Sequence, residues 1–138
     1  MNPAKSHAGE VGPQTVCLVD DDPLIRTLFA RVIQRAGCNV IVASSATEAE
    51  NILAEQPVNI VISDLMMPDS TDGENLLRKI SQDYPRVPVC MMSGNLDLDT
   101  REKLIGLGAI ACILKPFTAD IFSTLLADIE LLRLTSER

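Results

Sequence analysis

Four short apolar segments of the chain are each followed by polar residues that can take part in phosphate chemistry. In chain order these residues are Asp20 with Asp21, Asp64, Ser93 and Lys115. The segments are rich in β-branched and other apolar residues, which is typical of buried strands in a parallel sheet. In such sheets, ligands bind beyond the carboxyl ends of the strands. We therefore expect the carboxylates, the hydroxyl and the ammonium to converge on one rim, where they can hold a divalent cation and a phosphoryl group.

The acidic residues of this group indicate a metal site. Carboxylates within a few ångströms of one another raise each other's pKa unless a cation neutralises them. Their hardness and number suit Mg²⁺ or Mn²⁺. Asp64 is the candidate nucleophile, because an ionised carboxylate needs no external base. The metal, the Ser93 hydroxyl and the Lys115 ammonium can then share the charge on the oxygens of the transferred phosphoryl group.

The apolar periodicity predicts the elements that position these residues. Strand-like segments alternate with helix-like segments, five of each, between residues 15 and 134. Asp22 predicts the N-cap of the first helix, Pro23 its first turn and Gly37 its end. With right-handed crossovers, this alternation gives an α/β fold, a doubly wound (βα)5 sandwich.

The starts of the third and fourth helices are marked less clearly. Residues 67–73 are dense in turn formers and predict a surface loop, with Asp72 as a turn residue and the third helix starting at about Glu74. Either Asp97 or Asp99 predicts the cap of the fourth helix.

The last helix combines a core stripe with leucines on other faces. Leu131 and Leu134 project away from the stripe, and two interpretations stay open: half-buried positions in a frayed end, or a contact surface for a partner. The predicted stripe consists of Ile121, Phe122, Leu125, Leu126, Ile129 and Leu132.

Composition limits the class of protein. A chain of 138 residues can form one domain with its own core. We expect residues 1–14 to be a disordered tail, 15–134 the folded domain and 135–138 a C-terminal tail. No apolar run approaches the roughly 18 residues that span a bilayer, and no secretory signal is recognisable, so a cytoplasmic location is expected. The net charge of −7 argues against direct binding to DNA.

The cysteines and the histidine add no second site. The four cysteines form no CxxC pair, so we interpret them as buried, inert thiols. His7 lies in the predicted tail without a second histidine to complete a metal pair.

Several sequence blocks, in this order, carry a family resemblance. They are Val19-Asp20-Asp21-Asp22-Pro23, Asp64-Leu65-Met66-Met67-Pro68 with Asp72-Gly73, Met92-Ser93-Gly94 and Leu114-Lys115-Pro116-Phe117. With these blocks, residues 15–134 resemble the receiver domain of bacterial two-component response regulators, a flavodoxin-like fold similar to the chemotaxis regulators. The resemblance implies a five-stranded parallel sheet in the order 2-1-3-4-5.

The resemblance also implies a role for each acidic residue. Asp64 would accept a phosphoryl group from a phosphohistidine on a histidine kinase or a histidine phosphotransfer protein. Asp21 and Asp64 would ligate Mg²⁺ directly, together with the backbone carbonyl of Met66, while Asp20 would act through a coordinated water.

The remaining roles concern phosphate contact and output. Ser93 would follow the phosphate, Lys115 would pair with it, and the Lys115–Pro116 bond would be cis. The fourth and fifth helices with the fifth strand would be the output face, for a second copy of the chain or for an effector.

Three positions depart from the family pattern. Cys112 stands where receivers usually carry Tyr or Phe, so the switch would pass through the Ser93 loop, the fourth helix and the packing of Cys112. Asp64 and Gly73 are one residue further apart than usual. Met66 and Asn95 flank the path of a hydrolytic water, and because Met66 offers that water no hydrogen bond, we expect slow autodephosphorylation.

Two other classes of protein remain beside this signalling switch. A phosphatase of the haloacid dehalogenase type would need an acid two residues after the nucleophile, where this chain has Met66, so that class is disfavoured. A receiver-like interaction module that signals independently of phosphorylation stays open, and Cys112 is the feature in its favour.

Overall fold

The computed structural model describes residues 13–67 and 70–136, in which strands and helices alternate. The elements are β1 (Thr15–Val19), α1 (Pro23–Arg35), β2 (Asn39–Ala43), α2 (Ala46–Glu55), β3 (Ile60–Asp64), α3 (Ser70–Asp83), β4 (Val89–Ser93), α4 (Leu98–Gly106), β5 (Ala111–Leu114) and α5 (Ala119–Ser136). None of the helices formed by the described residues is long and apolar enough to cross a membrane.

The strands form one parallel sheet in the order β2-β1-β3-β4-β5, which confirms the predicted doubly wound α/β architecture. Val19 at the end of β1 is paired with Ser63, and Asp64 at the end of β3 is paired with Met92. The carboxyl ends of β1, β3 and β4 therefore lie side by side, and the residues that follow them share one rim.

Each face of the sheet is covered by its own apolar core. On one face, α2, α3 and α4 pack against strand residues that include Cys17 and Met91. On the other face, α1 and α5 pack against strand residues that include Leu18 and Met92. Neighbouring strand residues point to opposite cores, so both faces must be apolar, and this explains why the strands are continuous apolar runs. The four cysteines are buried and free, as predicted.

The segment after β5 is anchored by aromatic packing. The ring of Phe117 lies 4.2 Å from the ring of Phe29 in α1 and 6.1 Å from the ring of Phe122 in α5, measured between centroids. All three side chains are almost fully buried. This packing fixes the chain just after Lys115, so the lysine leaves the sheet from a rigid base.

The first helix begins and ends where the sequence predicts. The Asp22 side chain caps it by accepting a hydrogen bond of 2.9 Å from the amide of Leu24, and Pro23 is its first residue. Gly37 follows the helix with a φ of 91°, a conformation that glycine adopts without strain.

The third helix begins earlier than predicted. It starts at Ser70 rather than near Glu74, so the predicted turn residue Asp72 lies in the first helical turn. An acidic side chain is favourable there because it faces the positive end of the helix dipole. The turn-forming composition was therefore misleading for residues 70–73, while Pro68 and Asp69 of the predicted loop lie outside the described residues.

The described secondary structure begins at Thr15 and ends at Ser136. The fifth helix continues to Ser136, beyond the expected end at residue 134. Residues 13 and 14 precede β1 without regular structure. Residues 1–12 of the predicted N-terminal tail, which include His7, and residues 137–138 of the predicted C-terminal tail lie outside the described residues.

The buried face of α5 is narrower than the predicted stripe. Phe122, Leu125 and Ile129 are buried, but Ile121 is 44% exposed and Leu132 is 51% exposed. The predicted stripe is therefore wrong for Ile121 and Leu132, because helical spacing of apolar residues does not report how far the core extends around and along the helix. Leu131 is exposed, and the side chain of Leu134 lies outside the described residues.

Candidate functional site

The acidic residues predicted from the strand ends do meet at one rim. Asp20 and Asp21 follow β1, and Asp64 is the last residue of β3. Each offers a carboxylate oxygen, and these oxygens all lie within 4.8 Å of one another. Asp20 and Asp64 are buried, whereas Asp21 is exposed. The arrangement is an acidic pocket that opens to solvent on the side of Asp21.

Lys115 provides the positive charge within this pocket. Its Nζ lies 3.2 Å from Oδ2 of Asp20 and 3.1 Å from Oδ2 of Asp64. The Lys115–Pro116 peptide bond is cis, as expected. The side chain reaches across the end of β4, since β5 is separated from β3 by that strand. The ammonium therefore bridges the two buried carboxylates.

The pKa values express the electrostatic balance of the pair. Burial raises the pKa of Asp64, the hydrogen bond from Lys115 lowers it, and the nearby charge of Asp20 raises it further, with a net upward shift. For Lys115, burial alone would lower the pKa, but the hydrogen bond and charge of Asp64, together with Asp20, outweigh burial and raise it. The carboxylates thus stabilise the ammonium, and the ammonium relieves part of the cost of burying them.

Ser93 stands at the same rim, between the acidic residues and Lys115. It ends β4, and its carbonyl accepts a hydrogen bond of 2.8 Å from the amide of Lys115. Its hydroxyl donates to the carbonyl of Asn95 at 3.0 Å and accepts from the amide of Asn95 at 3.2 Å. The hydroxyl is therefore turned to its own loop, so a ligand at the rim would have to compete with Asn95 for it.

The donor set fits a hard divalent cation. Carboxylate oxygens are the preferred protein ligands of Mg²⁺, which binds through one or two of them and keeps several waters. Two of the carboxylates are buried and the third faces solvent, so an ion at this place would be held on one side and hydrated on the other.

Known proteins share this chain's fold and sequence. The model of the response regulator receiver domain matches residues 16–127. The chain belongs to the response regulator receiver domain family. A putative NtrX-like response regulator of Rickettsia bellii is 40% identical over 106 residues, which are 76% of this chain and 22% of that protein. The DNA-binding transcriptional regulator NtrC of Escherichia coli K12 is 34% identical over 105 residues, again 76% of this chain and 22% of that protein.

Solved structures agree with the assignment. A response regulator receiver domain protein from Clostridium thermocellum is 29% identical, with a TM-score of 0.79, covering 88% of this chain and 98% of that one. NtrX from Brucella abortus, in a complex with ADP, is 30% identical, with a TM-score of 0.76, covering 91% of this chain and 29% of that one. The receiver spans about a fifth of the length of the curated relatives that it matches, 22% for the first of them. Receiver domains are signalling switches, not metabolic enzymes.

Two residues that hold the site together were missed or undervalued in the sequence. Arg26 of α1 donates a hydrogen bond of 2.7 Å from Nη1 to the backbone carbonyl of Asp20. The sequence carried a signal for this contact. A basic residue in the first turn of a helix is unfavourable beside the positive end of the helix dipole, so its side chain is expected to bind an acceptor elsewhere. The second residue is Gly73, which lies directly against the backbone of Asp64 and Leu65. Its place beside the end of β3 depends on tertiary packing that no local sequence pattern reports.

Met66 and Cys112 complete the set of predicted residues. The backbone amide of Met66 donates a hydrogen bond to the Asp64 carboxylate, and the Met66 side chain is 50% exposed at the rim. Cys112 is buried in the core under α4, where burial raises the pKa of its thiol and the charge of Arg101 counteracts that shift. Its carbonyl accepts a hydrogen bond of 3.0 Å from Nη1 of Arg101. Cys112 therefore lies within β5, with its side chain in the core on the α4 side of the sheet.

Proposed function

We propose that this receiver accepts a phosphoryl group on Asp64 from a phosphohistidine of a histidine kinase or a histidine phosphotransfer protein, in a reaction that depends on Mg²⁺ or Mn²⁺. The observation that carries the proposal is the Lys115 ammonium held 3.2 Å from Asp20 and 3.1 Å from Asp64. An ammonium between two carboxylates at the open end of a sheet is placed to neutralise a further negative group, and a phosphoryl group on Asp64 is such a group.

The receiver contributes to the transfer step through groups that stand at the rim. An oxygen of Asp64 attacks phosphorus, a P–O bond forms, and the P–N bond to the donor imidazole breaks. The imidazole nitrogen keeps the electron pair of that bond and takes a proton from water. Lys115 favours the ionised, nucleophilic form of Asp64 by donating a hydrogen bond to it. After transfer, Lys115 pairs with the phosphoryl oxygens, and Ser93 exchanges its hydrogen bond with Asn95 for one to the phosphoryl group.

The carboxylates of Asp21 and Asp64 and the backbone carbonyl of Met66 would hold the divalent cation, with Asp20 acting through a water. When bound, the ion supplies positive charge that screens the incoming phosphoryl oxygens from the acidic residues. Asp20 is buried and hydrogen-bonded at several atoms, so it would keep the geometry of the pocket the same with or without the ion.

The output is proposed to pass through the α4-β5-α5 face, to a second copy of the chain or to an effector. These elements expose several large apolar side chains, which suits a contact surface. They are Leu98, Ile105, Leu114 and Ile121. Ser93 and Cys112 would be the switch positions, with Cys112 acting through packing rather than through rotation of a ring.

The phosphorylated state is proposed to be long-lived. The side chains of Met66 and Asn95 flank the path by which water would reach Asp64, and the thioether of Met66 cannot orient that water. Autodephosphorylation is then slow.

The receiver is also proposed to act in the cytoplasm as a switch, without direct contact with DNA or a membrane. The net charge of −7 supports the absence of DNA binding, because phosphate neutralisation requires basic surfaces.

Intact mass spectrometry after incubation with Mg²⁺ and acetyl phosphate tests the proposal. We expect the mass of one phosphoryl group to be added to the wild type and to an Asp83→Asn control, but not to Asp64→Asn. Asp83 is an exposed acid at the far end of α3, so the control removes the same charge without touching the rim. Chelation of the metal should also abolish the addition.

The alternative is an interaction module that signals without phosphate. The observation in its favour is Cys112, which lacks the ring that usually reports phosphorylation and is instead tied through its carbonyl to Arg101. If the folded wild type takes up no phosphoryl group, either from acetyl phosphate or from a phosphohistidine donor, the interaction module is supported and the switch is rejected.

A further inference from the structure

The turn at Asp20 and Asp21 is held by the guanidinium of Arg26, which belongs neither to the acidic pocket nor to the apolar cores. Arg26 reaches back from the first turn of α1, and its Nη1 donates to the carbonyl of Asp20 at 2.7 Å. Its charge also acts on Glu48 in the first turn of α2, whose pKa is lowered chiefly by hydrogen bonds from Ser44 and additionally by Arg26. The guanidinium thus lies between the end of β1 and the starts of two helices.

Asp20 is fixed at each of its polar atoms. Its amide donates to Ala43 at 3.1 Å, its Oδ1 accepts from Asp22 at 2.9 Å, and its Oδ2 is bound by Lys115 at 3.2 Å. Arg26 binds the remaining atom, the carbonyl oxygen. That carbonyl belongs to the peptide unit that joins Asp20 to Asp21, so its direction sets the orientation of the next residue.

We infer that Arg26 is a positioning residue, which orients the peptide between Asp20 and Asp21 and thereby directs the exposed Asp21 carboxylate at the cation site. Asp21 needs such help because it is exposed, and packing does not fix its direction. A planar guanidinium suits this task, since it presents several donors in a rigid fork and stays charged at every physiological pH. The inference rests on the proposed Mg²⁺-dependent function.

If Arg26 acted only through its charge, it would weaken Mg²⁺ binding rather than support it. A guanidinium near the acidic pocket repels an incoming Mg²⁺, so removing the charge without any positional change should strengthen Mg²⁺ binding. Loss of positioning should weaken it, on the order of tenfold, the loss expected for one hydrogen bond to a charged group. The direction of the change therefore separates the two roles.

Calorimetric titration of MgCl2 into the metal-free protein, at constant ionic strength, measures this direction. The variants are Arg26→Gln, Arg26→Lys and the control Arg31→Gln, which removes the same charge from an exposed position of the same helix. We expect Kd to rise about tenfold in Arg26→Gln, to change less than twofold in Arg31→Gln, and to lie between these values in Arg26→Lys. A Kd in Arg26→Gln equal to that of the control, or lower, overturns the inference.

A measurement without metal keeps this test separate from the proposed function. The amide of Asp22 donates to Oδ1 of Asp20, so its hydrogen exchange reports the order of the turn. We expect this exchange, followed by NMR in the metal-free protein, to be faster in Arg26→Gln than in Arg31→Gln, with exchange of the strand amides unchanged. Equal rates overturn the positioning role whether or not Mg²⁺ binds, whereas a wild type that binds no Mg²⁺ rejects only the proposed function.

Discussion

Replacement of Gly73 by alanine should disturb both the stability of the receiver and its acidic site. Gly73 lies in the first turn of α3, and its amide donates to the carbonyl of Leu65 at 3.1 Å. A Cβ atom placed on Gly73 would come within 2.7 Å of the carbonyl oxygen of Asp64 and would press on Leu65 still more closely. These are backbone atoms at the end of a buried strand, so they cannot yield as a flexible side chain would.

Three contributions determine the change in the free energy of unfolding, of which two lower it and one raises it. Overpacking against rigid neighbours typically costs 1–3 kcal/mol, and here we expect the upper part of that range, about 3 kcal/mol. Weakening of the Gly73–Leu65 hydrogen bond adds about 1 kcal/mol, whereas the better helix propensity of alanine returns about 1 kcal/mol. Gly73→Ala should therefore lower the free energy of unfolding by about 3 kcal/mol.

Equilibrium unfolding in urea measures this loss, and Gly106→Ala is its matched control. Gly106 also lies in a helix, but a Cβ atom on it would meet nothing within 4 Å. There only the propensity remains, so Gly106→Ala should raise the free energy of unfolding by about 0.5–1 kcal/mol. If Gly73→Ala were as stable as the wild type, the close approach of α3 to the Asp64 strand would be refuted. A change of the same sign in both variants by similar amounts would refute it as well.

Three further variants test the site and its surroundings. Met66→Asn should shorten the half-life of the phosphorylated protein by giving the hydrolytic water a hydrogen bond, and an unchanged or longer half-life would contradict the proposed role of Met66. Asp64→Asn should stabilise the protein near pH 7, because the raised pKa of Asp64 means that its ionised form costs stability above its unfolded pKa of 3.8. This gain should disappear as the pH falls below 3.8, where Asp64 is protonated in both states, and a gain independent of pH would argue against an electrostatic cause. Asp22→Ala should cost about 1 kcal/mol in urea unfolding through loss of the α1 cap, while leaving Mg²⁺ affinity within twofold of the wild type.

The sequence was sufficient where the physical cause is local or periodic. Continuous apolar runs predicted the strands because both faces of a parallel sheet are buried, and Asp22 with Pro23 predicted the start of α1 because cap and first turn depend on adjacent residues. Since parallel strands end at a common rim, the meeting of Asp20, Asp21, Asp64 and Lys115 followed from topology alone. The start of α3 was missed, because its first turn is held against the Asp64 strand by tertiary contacts that outweigh its turn-forming composition.

Residues that support the site from a distance were the ones least visible in the sequence. Arg26 binds a backbone carbonyl, which every residue type has. The contact therefore leaves no recognisable pair of side chains in the sequence. The same applies to Arg101, which binds the carbonyl of Cys112 and joins α4 to the edge strand.

The contacts of α4 bear on how a receiver without the usual aromatic ring can be constructed. Leu104 is the buried anchor of this helix, and its polar ties to other elements include the Arg101 hydrogen bond to Cys112 and the ion pair of Lys103 with Glu74 at 2.9 Å. Lys103 is exposed although Glu74 is partly buried, so their ion pair contributes about 1 kcal/mol, and a single hydrogen bond contributes about the same. These polar ties are therefore weak, and the burial of Leu104 in the same apolar core as Cys112 holds α4 more strongly than either of them. A buried thiol at position 112 is compatible with this contact, because Arg101 binds the backbone carbonyl of Cys112 and therefore places no requirement on its side chain.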